Sequence, residues 1–116
     1  MPTIWKERKT MTVEQLVGKV YDTLSQKDLS AAGDKLAIQV NLTGKNSGVF
    51  YIEVLNGVLS VMPYEYNDRD ALISIAMTNF EKLLTGKLDP RIAYATGKLK
   101  AEGNLGKVLS LAEILK

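Results

Sequence analysis

Apolar residues first recur at helical spacing between positions 13 and 24. Six of them share one stripe: Val13, Leu16, Val17, Val20, Tyr21 and Leu24. Because residues three and four positions apart lie on one face of an α-helix, this spacing predicts a helix over about 13–25. Thr12 and Gln15 match the capping-box pattern at its start. A short helical turn or loop is predicted over 28–33.

The period of the apolar positions then changes to two, which predicts strands with one buried face. The alternating residues are Leu36, Ile38, Val40 and Leu42, then Phe50, Ile52 and Val54, then Leu59 and Val61, and a fourth run from Leu72 to Ala76. The glycines of 44–48 supply the first turn, and Asn56-Gly57 favours a two-residue hairpin. Residues 63–70 are polar and predict an exposed connection. We expect these four strands to form an antiparallel meander.

Two short helical segments follow the fourth predicted strand. Thr78 and Glu81 form a second capping-box pattern. Asp89-Pro90 is typical of a helix start, because the Asp side chain accepts exposed N–H groups and a first-turn proline loses no hydrogen bond.

The end of the chain predicts a fifth strand and a last helix. Leu99 and Ala101 alternate with charged residues, and Asn104 is a suitable N-cap for a helix over about 105–115. The elements together predict an α+β fold, in which helices cover a five-stranded, mainly antiparallel sheet.

Length and composition indicate one globular domain. The chain has 116 residues, of which 46% are hydrophobic and 24% charged. We expect an N-terminal extension over 1–11 and a single domain over 12–116. The start lacks the apolar run of a signal peptide, and no stretch is long enough to span a membrane, so a cytoplasmic location is expected. A net charge of +2 is too small to predict a nucleic-acid partner.

The chain contains no histidine and no cysteine. This excludes a Ser-His-Asp triad, a cysteine nucleophile, a disulfide and an ordinary zinc site. We therefore expect no catalytic residue, no metal site and no cofactor.

Residues 85–106, TGKLDPRIAYATGKLKAEGNLG, resemble the sterol carrier protein type 2 family of lipid-binding domains. The matching positions are Thr85, Gly86, Lys87, Asp89 and Pro90, followed by Gly97, Lys98, Leu99, Gly103, Asn104 and Gly106. The resemblance implies an apolar tunnel between the sheet and the helices that binds a fatty acid, an acyl-CoA or a sterol-like molecule without catalysis. Thr96 departs from the glutamine that many members carry. The last residues do not form a peroxisomal targeting tripeptide, so that address is not supported.

The predicted last helix is apolar over more of its circumference than one core-facing stripe requires. A lipid chain, a second subunit or deep burial of the helix would each account for this surplus. Together with an apolar group from the preceding segments, the tunnel candidates are Met77, Phe80, Leu83, Leu84, Leu88, Ile92, Leu105, Val108, Leu109 and Ala112. Ordinary core packing is the competing interpretation for all of them.

The function predicted from the sequence is non-catalytic binding or transfer of a lipid or acyl-CoA ligand. The alternative is a module that forms a homodimer or presents an acyl substrate to a partner enzyme, and a hydrolase or thioesterase ranks third. Lys87, Lys98 and Lys100 fit either a cationic rim for a lipid headgroup or a solvated surface. Trp5 and its basic neighbours suit transient contact with a membrane surface, although a frayed or packed terminal segment is the favoured interpretation.

Overall fold

The computed structural model describes residues 12–45 and 47–116, so the predicted N-terminal extension and its membrane contact lie outside the described residues. The elements, in chain order, are helix α1 (Val13–Leu24), a 3-10 helix (Ser30–Ala32), strands β1 (Lys35–Thr43), β2 (Gly48–Leu55), β3 (Val58–Met62) and β4 (Ala71–Ala76), helices α2 (Met77–Leu84) and α3 (Pro90–Ala95), strand β5 (Leu99–Gly103) and helix α4 (Leu105–Leu115). The predicted α+β fold is confirmed.

The five strands form one sheet in the order β3-β2-β1-β4-β5. The pairs β1–β2, β2–β3 and β4–β5 are antiparallel, whereas β4 runs parallel to β1. The sheet is therefore mainly antiparallel, as predicted. The predicted four-strand meander is correct for β1 to β3 and wrong for β4, because the chain crosses from the β3 edge to the far side of β1.

Residues 63–70 make this crossing over the face of the sheet opposite to the core. The backbone N–H of Tyr66 donates a hydrogen bond of 3.0 Å to Oε1 of Gln39 on β1. The Tyr66 ring packs edge-on against Tyr51 on β2, with ring centroids 4.9 Å apart. The predicted exposed connection is thus anchored to two strands, which explains how eight residues hold the crossing in place.

The same tyrosine gives the crossing a pH-dependent contact. The Tyr66 hydroxyl donates to Oε2 of Glu53 at 2.6 Å, and this bond, with burial and nearby negative charge, raises the pKa of Tyr66 to about 12. The folded protein holds the Tyr66 proton more tightly than the unfolded chain does. The hydrogen bond to Glu53 therefore stabilises the fold in full below the ordinary tyrosine pKa of about 10. It is lost as the pH rises through the folded value.

We expect an absorbance titration to resolve this group. The difference between wild type and Tyr66→Phe should show one tyrosinate that forms near pH 12. Formation of that tyrosinate near pH 10, while the protein is still folded, would contradict the hydrogen bond to Glu53.

The helices meet the sheet through the alternating apolar positions of its strands. The larger side chains that are 0% exposed are Leu16, Val20, Leu36, Ile38, Val40, Phe50, Ile52 and Phe80. Phe50 on β2 and Phe80 on α2 pack edge to face, with ring centroids 5.4 Å apart. The core therefore lies between one face of the sheet and the helices. No helix within 12–45 and 47–116 is long and apolar enough to cross a membrane.

Helix capping follows the sequence in three cases and departs from it in one. The Thr12–Gln15 capping box is present, and Asp89 and Asn104 accept N–H bonds at the starts of α3 and α4. The box predicted from Thr78 and Glu81 is wrong, because α2 begins at Met77, directly after β4, and its N-cap residue Ala76 makes no side-chain hydrogen bond.

The predicted hairpin at Asn56-Gly57 is confirmed. Asn56 has φ 49° and Gly57 has φ 83°, the positive values that this two-residue turn requires.

Candidate functional site

A groove with an apolar lining lies beside α4, where this helix and α3 approach β4, β5 and the end of α2. Its volume is about 220 Å³. It is lined by Ile73, Leu83, Pro90, Arg91, Tyr94, Leu99, Leu105, Val108, Leu109, Leu111, Ala112 and Leu115. The groove is open to solvent along the outer edge of α4, because Leu105 and Leu109 are 48% and 54% exposed.

Polar contacts fix α4 at both of its ends. At its start, Lys107 Nζ donates a hydrogen bond to the backbone carbonyl of Lys35 at the beginning of β1. At its end, Lys27 Nζ lies 3.5 Å from the carbonyl oxygen of Leu115 and 3.1 Å from that of Lys116. A cation at the C-terminus of a helix interacts favourably with its last carbonyl groups. The wall of the groove is therefore tied to the sheet and to the segment after α1.

The apolar residues of α4 are more numerous than one core-facing stripe requires, and they are divided between the core and the exposed edge of the groove. Leu111, Ile114 and Leu115 are buried, with exposures of 2%, 3% and 5%. Deep burial explains these three residues. It does not explain Leu105 and Leu109, which lie on the exposed side and border the groove.

One ion pair connects the two helices at the groove. Arg91, on the first turn of α3, is the one charged residue among the described residues that line it. Its Nη2 atom lies 2.9 Å from Oε2 of Glu113 on α4. Tyr94, three positions after Arg91 on the same helix, also lines the groove.

The structure separates the ten predicted tunnel residues into two groups. Leu83, Leu105, Val108, Leu109 and Ala112 line the groove together. The other residues do not line it: Met77, Phe80 and Leu84 are buried in the core, Leu88 is partly buried against the core, and Ile92 is 57% exposed on the outer surface of α3.

The sequence did not single out Arg91. It placed Tyr94 in the apolar group predicted to face the region of the last helix, but not among the ten tunnel candidates. A usable signal was the spacing of three between Arg91 and Tyr94 within the helix that Asp89-Pro90 begins, because this spacing places both on one face. None of Lys87, Lys98 and Lys100 lines the groove, and all three are exposed.

Comparison with known proteins decides the family. The sequence model of the SCP-2 sterol transfer family matches residues 13–116, nearly all of the chain. The chain belongs to this family. The five-stranded sheet and its helices are the fold of an SCP-2 domain, as the resemblance of residues 85–106 implied.

Curated relatives of this SCP-2 domain are longer proteins. Hydroxysteroid dehydrogenase-like protein 2 from Mus musculus is 31% identical over 104 residues, which are 89% of this chain and 21% of that protein. Sterol carrier protein 2 from Homo sapiens is 35% identical over 71 residues, which are 61% of this chain and 13% of that protein. The chain thus spans about a fifth or less of these relatives.

A solved structure supports the same fold at lower identity. The solution structure of palmitated SCP2L2 from Aedes aegypti superimposes with a TM-score of 0.68 and 19% identity, covering 90% of this chain and 95% of that one. At this identity the comparison shows the architecture alone.

The Gly103-Asn104 pair of this SCP-2 domain has a structural role next to the groove. Gly103 ends β5 with φ +94°, and a Cβ atom there would lie 2.8 Å from the carbonyl oxygen of Asp70. The same carbonyl accepts a hydrogen bond of 2.9 Å from the backbone N–H of Asn104, which caps α4. Glycine therefore allows the close approach that places the start of α4 against β4.

Proposed function

We propose that this SCP-2 domain binds a single-chain lipid in the groove beside α4 and carries it without catalysing a reaction. Membership of the SCP-2 sterol transfer family supports lipid binding or transfer. The observation that carries the proposal is an apolar groove, open to solvent, whose exposed edge is formed by leucine side chains that the core does not use.

The dimensions of the groove favour a hydrocarbon chain over a bulky ring system. Its volume of about 220 Å³ is below the range of about 300–1,000 Å³ that accommodates drug-sized ligands. A flexible hydrocarbon chain can bind in a small apolar groove even when only part of it is buried, because each buried methylene adds its own increment to the free energy of binding. The Aedes aegypti protein of the same fold is palmitated, and we extend this acyl ligand class to the present chain as part of the proposal.

Hydrophobic transfer provides enough free energy for such binding. Burial of about fourteen methylenes contributes roughly 11 kcal/mol at about 0.8 kcal/mol each. Lost translational, rotational and chain freedom offsets at least about 4 kcal/mol of this, which leaves dissociation constants of about 10 μM or weaker. Because one methylene changes the free energy of binding by only about 1 kcal/mol, we expect broad selectivity for chain length.

Calorimetric titration of delipidated protein with laurate tests the proposal. We expect saturable binding of one laurate per chain in the micromolar range, and mass spectrometry of the undelipidated protein should find co-purified fatty acids. Lack of saturable binding by well-folded protein would contradict the proposal. A tight dimer at nanomolar concentration without ligand affinity would support the interaction module instead, which the comparisons do not favour.

A further inference from the structure

Among the residues that the structure describes, the lining of the groove contains a single charged side chain, which an apolar ligand does not require. Arg91 is surrounded in this lining by leucine, valine, isoleucine, alanine and proline side chains, with Tyr94 as its nearest polar neighbour in the sequence of α3. Arginine presents five N–H donors in a planar arrangement that matches a carboxylate with two parallel hydrogen bonds. A charge at this position therefore suits the polar end of a lipid whose chain lies along the groove.

The ion pair of Arg91 leaves most of its donors available. Glu113 contacts one nitrogen, Nη2, at 2.9 Å, and the remaining guanidinium nitrogens donate to no residue that the structure describes. The two side chains are 58% and 46% exposed. Exposed ion pairs are held weakly and exchange readily with other anions.

Glu113 has a second cationic partner directly after the end of its own helix. Lys116 Nζ lies 3.2 Å from the same Oε2 atom that contacts Arg91. If Arg91 turns towards an incoming carboxylate, Glu113 keeps an opposite charge beside it. The exchange consequently leaves neither anion without a partner.

We infer that Arg91 binds the carboxylate of a fatty acid, and that Glu113 occupies this position when the groove is empty. This inference rests on the proposed function and deepens it, since it identifies the ligand as an ionised fatty acid rather than a neutral lipid. Arg91 is then the residue that determines headgroup specificity, while the leucines of α4 bind the chain.

Two ligands of equal chain length separate the headgroup from the chain. Laurate and 1-dodecanol are titrated calorimetrically into the delipidated protein and into Arg91→Gln at neutral pH. In the variant, we expect laurate to bind about tenfold more weakly, because a hydrogen-bonded charge pair is lost, while the dissociation constant of dodecanol changes less than twofold. Lys100→Gln removes a cation from the face of the sheet opposite to the groove, so the dissociation constants of both ligands should be unchanged.

Glu113→Gln is a second variant, for which we expect a change in laurate affinity opposite to that of Arg91→Gln. It removes the competing carboxylate, so laurate should bind about two- to threefold more tightly, whereas dodecanol should be unaffected. Both Arg91 and Glu113 are on the surface, so neither substitution is expected to impair folding.

The outcomes distinguish this inference from the proposed function. If Arg91→Gln leaves the ratio of laurate to dodecanol affinity unchanged, whether or not both affinities fall, the role of Arg91 is overturned and the lipid-binding groove stays in place. Failure of both ligands to bind the wild-type protein would overturn the groove and the inference together.

Discussion

Replacing Phe80 with alanine is expected to destabilise the domain by about 3–5 kcal/mol, the usual cost of removing a buried phenylalanine ring. Phe80 is 0% exposed and packs edge to face against Phe50, so its removal leaves a cavity where α2 meets the sheet. Since small domains are stable by only about 5–15 kcal/mol, this loss is a large fraction of the total. Urea unfolding monitored by circular dichroism measures it.

Two matched variants test whether the loss of stability comes from the buried position of Phe80 and whether Phe80 affects laurate binding. Tyr64→Ala removes an aromatic ring that is 63% exposed and should change the free energy of unfolding by less than about 0.5 kcal/mol. Phe80→Leu should keep the fold and bind laurate within twofold of the wild type, because Phe80 does not line the groove. A destabilisation below about 1 kcal/mol in Phe80→Ala would show that α2 does not pack as described.

The elements of the fold could be predicted from the sequence because each depends on local chemistry. Helical spacing predicted α1 within one residue of its observed bounds, and Asn104 correctly indicated the start of α4. The parallel pairing of β4 with β1 could not be predicted in the same way. A strand with one buried face has the same alternation in either direction, and the anchors of the crossing, Gln39 and Tyr66, are distant in the sequence.

The candidate site was harder to predict than the fold for a related reason. A periodic apolar pattern identifies residues that leave water, but it does not tell whether a neighbouring side chain or a ligand covers them. Phe80 and Leu84 are covered by the protein itself, whereas Leu105 and Leu109 are not. Arg91 was missed because an arginine on a short helix is ordinarily a solvated surface residue, and only its position against α4 distinguishes it.

Replacing Leu109 with aspartate is expected to weaken laurate binding by at least about 30-fold while the domain remains folded. The new carboxylate would lie in the groove, where an acyl chain would have to remove water from it, and desolvation of an unpaired charge is costly. The stability cost should stay within about 1 kcal/mol, since the Leu109 side chain is 54% exposed and the change mainly lowers helix propensity. Calorimetry measures the affinity, and thermal unfolding measures the stability.

Two controls separate the effect of charge in the groove from a general effect of added charge. Val58→Asp introduces the same group at a hairpin position that is 65% exposed and outside the groove, so laurate affinity should be unchanged. Leu109→Asn has nearly the shape of aspartate without its charge and should give an intermediate loss of affinity. If folded Leu109→Asp binds laurate as tightly as the wild type, the acyl chain does not lie beside the exposed edge of α4. Because that edge is the observation on which the lipid-binding proposal depends, the groove would then lose its assignment even though the fold remained that of an SCP-2 domain.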